Sequence, residues 1–272
     1  MTTTATTVDL AAVKQKQQTN WSAGNYAVIG TSLQLVGEEL LETLDLPAGS
    51  SVLDVAAGNG NASLAAARRG CEVTAVDYVP SLVDQLLGRA AAEGLAVDAR
   101  VGDAEALDVA DGSFDAVTSI FGVMFTADQD QAARELVRAC RPGGIIALVN
   151  WTPDSFVGDI FRTIGAHVPP PAGVRSPMQW GTEERLQELF GADVTWLEVT
   201  RKAFVFRYRS AHDLVEAFRT YYGPMVKAFE ALDEDGKAAL YAELVALAER
   251  HNTSDTALRI PSTYVQVLAQ RA

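Results

Sequence analysis

The residues best suited to chemistry lie in VLDVAAGNGNAS, at 52–63, and in the carboxylate that follows. A glycine-bearing turn between a strand and its helix lets the backbone approach a ligand without Cβ collision. Gly58, Asn59 and Gly60 form such a turn, with Ala56 just before it. A lone G-x-G is weak evidence, because a sharp turn needs glycine whether or not anything binds. Asp77 is more discriminating: it closes the second strand, 17 residues beyond Gly60, where a carboxylate can accept hydrogen bonds from a ribose diol. A dinucleotide and a nucleoside both fit that arrangement. The NAD fingerprint asks for glycine at its sixth position, where Ser63 stands. Asp54, ahead of the turn, is an awkward neighbour for a pyrophosphate but tolerable beside a sulfonium or an ammonium. Both points favour a nucleoside without phosphates.

Elements must hold these groups in place. SVLDVA, CEVTAVD, AVDARVGD, FDAVTSIFGV and GIIALVNW read as strands, with NASLAAARRG, SLVDQLLGRAAAEG and DQAARELVRACRPGG as helices among them. Several strands are apolar almost throughout, as expected where helices cover both faces of a parallel sheet. Residues 1 to about 18 are polar and frayed or helical only at their end. Tyr26 to Leu44 fits one helix, with Leu33, Val36, Leu40 and Leu44 three or four apart. Beyond Trp151 the pattern predicts a helix at 155–165, a proline-rich loop at 167–177 and a helix in GTEERLQELFG capped by Thr182. A long strand, helices at about 211–231 and 235–250, and a closing strand at 264–270 follow. The late helices cannot easily interrupt a parallel sheet, so they are expected to cap one end of it.

The runs VLDVAAGNG, VTAVDYVP, VGDAEALDVADGSFDAVTSIFGVMF and LVRACRPGGIIALVNW resemble the class I S-adenosylmethionine-dependent methyltransferases. The nearest flavour is the small-molecule group related to the ubiquinone and menaquinone biosynthesis enzymes. The resemblance covers residues 51–151 well and the rest more loosely. It implies an open, doubly wound, mostly parallel seven-stranded α/β sheet of order 3-2-1-4-5-7-6, its closing strand antiparallel. It also implies an N-terminal helical lid at 1–46, a cofactor-binding core at 47–151 and acceptor-side elements at 152–210. A helical cap at 211–252 and a closing strand at 262–272 complete the single domain.

Carried over residue by residue, the resemblance implies that the backbone of Ala56, Gly58 and Gly60, with Asn59 in the same turn, cradles the methionine part. Asp54 would lie near its ammonium, Asp77 on the ribose and Tyr78 against the adenine. Asp103 would accept the adenine amino hydrogen and Ala104 would donate a backbone N–H to the ring. Ser119 and Ile120 would line the methionine side, and Trp21 and Tyr26 would belong to the lid. The cofactor implied is S-adenosylmethionine, with S-adenosylhomocysteine as product.

The acceptor is less legible. SIFGVMF replaces the N/D-P-P-Y/F run that base- and protein-glutamine-methylating enzymes carry, so Phe121, Val123, Met124 and Phe125 are expected to wall a carbon-rich pocket, with Trp151 and Trp180. His167, before a proline run, is the candidate base because histidine titrates near neutrality. Tyr222 is a candidate donor to an acceptor oxygen. The counts of 22 basic and 35 acidic residues give a net charge of -13, a poor match to nucleic acid. Two cysteines make neither a disulfide framework nor a metal cluster. The opening residues lack a secretory pattern and the apolar runs are too short to span a bilayer, so a cytoplasmic protein acting on a small molecule is expected. Two rivals are an NAD-dependent oxidoreductase and a non-catalytic scaffold that keeps the cofactor cleft.

Overall fold

The computed structural model describes residues 9–171 and 173–272, so the start of the expected lid, 1–8, lies outside the described residues. Its frame is a seven-stranded sheet in the order β3-β2-β1-β4-β5-β7-β6. The strands are β1 (Ser51–Val55), β2 (Glu72–Asp77), β3 (Asp98–Val101), β4 (Phe114–Ile120), β5 (Cys140–Trp151), β6 (Val194–Tyr208) and β7 (Leu258–Arg271). β1 to β5 run parallel, and β7 is antiparallel to both β5 and β6. The central strands are buried on both faces, which is why VLDV and IALVNW are apolar in continuous runs rather than in alternation.

Helices α4 (Asn61–Arg68), α5 (Pro80–Glu93) and α6 (Gln129–Ala139) connect the parallel strands. Right-handed crossovers place α4 and α5 on one face and α6 on the other, because β1 leads outward to β2 while β4 leads to β5. The chain therefore reverses direction between β1 and β4. In open α/β sheets ligands bind at the carboxyl ends of strands flanking such a reversal.

Three helices precede the sheet: α1 (Leu10–Trp21), α2 (Tyr26–Ser32) and α3 (Gln34–Leu44). The single helix expected from Tyr26 to Leu44 is broken at Leu33, whose φ of -91° and ψ of 6° end one helix and open the next. The break keeps Leu33, Val36, Leu40 and Leu41 in the core while Tyr26 lies over the turn after β1.

Past β5 come α7 (Phe156–His167) and α8 (Glu183–Phe190), capped by the Ser155 and Thr182 hydroxyls, which accept from Gly158 N and Arg185 N. The late helices α9 (Ala211–Tyr221), α10 (Gly223–Glu230) and α11 (Glu234–His251) are inserted at the open end of the β6–β7 hairpin. β7 leaves β5 at the pair Trp151–Tyr264, yet stays paired with β6 from Ala203–Thr263 to Tyr208–Leu258. This two-stranded ribbon projects beyond the carboxyl end of β5 and carries the helical cap over the sheet edge. No helix of the described residues is long and apolar enough to cross a membrane.

Candidate active site

A cleft with open space of about 840 Å³ lies over the carboxyl ends of β1, β2 and β4. Its floor is the turn after β1. Ala56 (φ 52°) and Gly58 (φ 56°) both adopt left-handed backbone, and Phe121, at the end of β4, does the same at φ 53°. Two non-glycine residues in this region, side by side on adjacent strands, store strain where the cleft needs its shape. Gly122 fits because a Cβ there would sit 2.3 Å from the Ala56 carbonyl oxygen.

Four carboxylates face this floor. Asp77 accepts the Gly58 N–H at 2.8 Å through Oδ2 and the Val79 N–H at 2.9 Å through Oδ1, leaving each oxygen a further lone pair. Asp54 accepts both the N–H and Oγ–H of Ser63 through Oδ2, at 2.9 and 2.5 Å, and the Thr118 hydroxyl through Oδ1. Burial pushes both carboxyls up to about 6, against the lowering effect of those hydrogen bonds. Asp103 accepts the Glu105 N–H, and its other oxygen meets Lys14 Nζ at 2.6 Å. Lys14 also pairs with Glu105 at 2.6 Å. The only cation among the described lining residues is therefore already held by two carboxylates. This donor set suits a diol, an ammonium or a sulfonium and offers nothing to a pyrophosphate.

The cleft is roofed from the N-terminal side. Lys14, Gln17 and Trp21 of α1 line it, and Gln18 donates to the Tyr78 carbonyl at 2.6 Å. Tyr26 is half-buried, with its ring 3.5 Å from the position of a Cβ on Gly58. Asn59, Tyr78, Ala104 and Ile120 also line the cleft. Adjoining it is a narrow chamber walled by Trp151, Phe206, Phe218 and Tyr222, with Trp21, Tyr26, Phe121 and Phe125 shared between the two spaces. Phe121 and Trp151 stack at 4.0 Å, and Trp21 packs edge-on against Tyr26, Phe125 and Tyr222. Burial holds the Tyr222 phenol well above its ordinary value, so it stays protonated and can donate a hydrogen bond.

Several expected positions require correction. His167 lines neither space: it ends α7 with Nε2 3.2 Å from Glu243 on α11, because that helix turns its last residue towards the cap. Trp180 is fully buried against Phe190 and packs behind β5. Ser119 is spent within the protein, donating to the Val55 carbonyl at 2.7 Å and accepting the Val123 N–H at 3.0 Å. Gly60 (φ 89°) makes the turn with its Cβ position against Leu86, and Val123 is core. Met124 faces a separate outer groove. Sequence reading missed Lys14, Gln17 and Glu105. Lys14, Gln17 and Trp21 recur at helical spacing, a signal hidden by the polarity of α1.

Residues 53–148 match a family described as methyltransferase domain. A protein of Mycobacterium tuberculosis is 38% identical over 236 residues, covering 85% of this chain and 86% of its own. The chain belongs to the methyltransferases. It is a class I enzyme of the S-adenosylmethionine-dependent kind, and the cleft's donor set fits that cofactor. The methyltransferase is also 37% identical to the demethylmenaquinone methyltransferase of Deinococcus radiodurans over 126 residues, 45% of this chain and 52% of that one. Among solved structures, the YcgJ protein of Bacillus subtilis superposes with a TM-score of 0.61 at 20% identity, covering 89% of this methyltransferase and 98% of its own chain.

Proposed function

We propose that the methyltransferase moves the methyl group in line onto an oxygen, nitrogen or activated carbon of a small, largely apolar acceptor held in the aromatic chamber. The observation that carries this reading is the continuity between an acidic, glycine-floored cleft and a chamber lined by rings. The partial likeness to a demethylmenaquinone methyltransferase supports a carbon-rich acceptor.

In this reading the free lone pairs of Asp77 accept the ribose hydroxyls, and Asp54 faces the ammonium, directly or through water. Tyr78 and Ala104 flank the adenine, with Asp103 near its amino group. Ala56, Gly58 and Asn59 bring backbone against the methionine part, beside Ile120. When bound, S-adenosylmethionine supplies an electrophilic methyl on a sulfonium. The protein's work is then alignment and exclusion of water. α1 with Trp21 and Tyr26 closes the cofactor side, within a lid that includes residues 9–46, and the cap at 211–252 closes the acceptor side. Tyr222 donates to an acceptor oxygen and orients it. None of the described chamber residues is His, Asp or Glu. The acceptor therefore attacks through an electron pair it already presents, any acidic proton having passed to water before lid and cap close.

Calorimetry with S-adenosylmethionine and, separately, NAD tests the reading. Saturable binding of the first and not the second is expected. Asp77→Ala should weaken it tenfold or more, about 1.4 kcal/mol. Folded protein that binds neither would remove the proposal and favour a scaffold.

A further inference from the structure

An outer groove, distinct from the cleft and the chamber, runs between α1, α7, α10 and the loop before Met178, with open space of about 1740 Å³. Its floor is apolar, formed by Met124, Phe161, Ile164 and Met178 among others. Its rim carries Lys16, Arg162, Arg175 and Lys227, one from each of four segments, while none of the described lining residues is Asp or Glu. In a chain with 35 acidic and 22 basic residues, that local inversion of charge needs a cause. Arg162 and Lys227 are neutralised by neighbours on their own helices, Asp159 and Glu230. Lys16 has no ion-pair partner among the described residues. Arg175 shares Asp130 with Arg185, which also pairs with Glu188, so that group is neutral as a whole. Uncompensated positive charge is left on the rim at Lys16, with the exposed Arg175 guanidinium beside the same groove.

Trp21 and Phe125, with ring centroids 5.0 Å apart, line the groove, the chamber and the cleft alike. They form the partition between the groove and the reacting centre. We propose that the groove holds the outer part of the methyl acceptor, an elongated molecule with an apolar body and an anionic group at its far end. The anion meets Lys16 and Arg175, the apolar body covers the groove floor, and the end to be methylated passes Trp21 and Phe125. This rests on the reading of the chamber given above. A concave, apolar-floored site fits one such molecule, whereas a bilayer surface needs a protruding apolar patch.

The test uses the full chain saturated with S-adenosylhomocysteine, with dodecanoate and dodecyl phosphate as probes below the concentrations at which they form micelles. Dodecanol and dodecyltrimethylammonium are the neutral and cationic controls. Calorimetry should show both anions binding at least tenfold tighter than either control; whichever binds more strongly identifies carboxylate or phosphate as the preferred head. The double variant Lys16→Glu/Arg175→Glu, at exposed positions, should lose at least tenfold for the anions and leave S-adenosylhomocysteine affinity unchanged. 12-Bromododecanoate should quench tryptophan fluorescence in the parent and markedly less in Trp21→Phe. Equal affinity for anionic and cationic chains, or anion binding untouched by the double variant, would overturn the proposal. So would sedimentation with phosphatidylglycerol vesicles that dodecanoate does not compete away, which would assign the groove to a membrane surface. Failure of S-adenosylhomocysteine binding alone would strike the cofactor reading and leave groove binding to be judged by the same probes.

Discussion

Asp54 shows how one buried carboxyl couples stability to cofactor binding. Its side chain is 1% exposed, and burial holds the carboxyl at about 6 despite bonds from Ser63 and Thr118. A folded-state value above the unfolded one means that the native protein binds the proton more tightly. That contribution is complete below about 3.8 and is lost as pH rises through about 6. Asparagine can keep the Ser63 N–H bond without ionising. Chemical denaturation from pH 4 to 7.5 should therefore show the parent losing roughly 2–3 kcal/mol relative to Asp54→Asn. A constant difference across that range would show that the carboxyl does not titrate there. The same ionisation creates the charge that an ammonium prefers, so S-adenosylmethionine affinity should rise through about pH 6 in the parent and stay flat in the variant. Ala56 offers a second check at this scale. Its φ of 52° costs an alanine about 1 kcal/mol that glycine avoids. Ala56→Gly should recover much of that in thermal unfolding, with weaker cofactor binding as the floor loosens.

At the scale of elements, α1 and the cap behave as one roof. Asn25 N–H donates to the Tyr221 carbonyl at 3.1 Å, and Gly223 lies so close to α1 that a Cβ would stand 2.0 Å from the Asn20 carbonyl oxygen. Gly223→Ala should lever α1 away from the cleft, since the obstacle is backbone and cannot rotate aside. The expected result is faster tryptic cleavage after Lys14 and Lys16 and a higher cofactor dissociation rate. Unchanged proteolysis would mean that the turn absorbs the methyl group elsewhere. The core strands were legible because buried parallel strands leave apolar runs and their turns leave glycines. α1 was not, because its contribution is a polar stripe that repays its position only through Asp103, Glu105 and Tyr78, distant in sequence. His167 was misplaced for a related reason: its sequence neighbourhood is prolines, while its position depends on Glu243 in a helix inserted much later. Trp151 ends β5 and reaches the chamber, whereas Trp180 lies in a short helical turn at 177–181 and packs against Phe190, a difference that tertiary packing decides.

At the scale of the molecule, the cofactor cleft draws on α1, β1, β2, the segment after β3 and β4, so a ligand there touches elements spread across the fold. The chamber adds β5, the β6 ribbon and α9 through Trp151, Phe206 and Phe218. The open α/β sheet was readable from short connections and its strand order was implied by the family resemblance, whereas the meeting of lid, ribbon and cap is a long-range outcome of packing. That packing has a thermodynamic signature. A ligand that binds only the folded state at 100 times its Kd adds about 2.7 kcal/mol. For a chain of this size, that corresponds to a rise in Tm of roughly 5–10 °C. Because lid and cap pack on each other and on the sheet edge, S-adenosylhomocysteine should raise a single calorimetric transition without splitting it. Asp77→Ala should unfold near the parent's ligand-free temperature and respond weakly to the same ligand concentration. Two transitions, with only the lower one moved by ligand, would mean that lid and cap form a separate unit closing over an independently stable sheet.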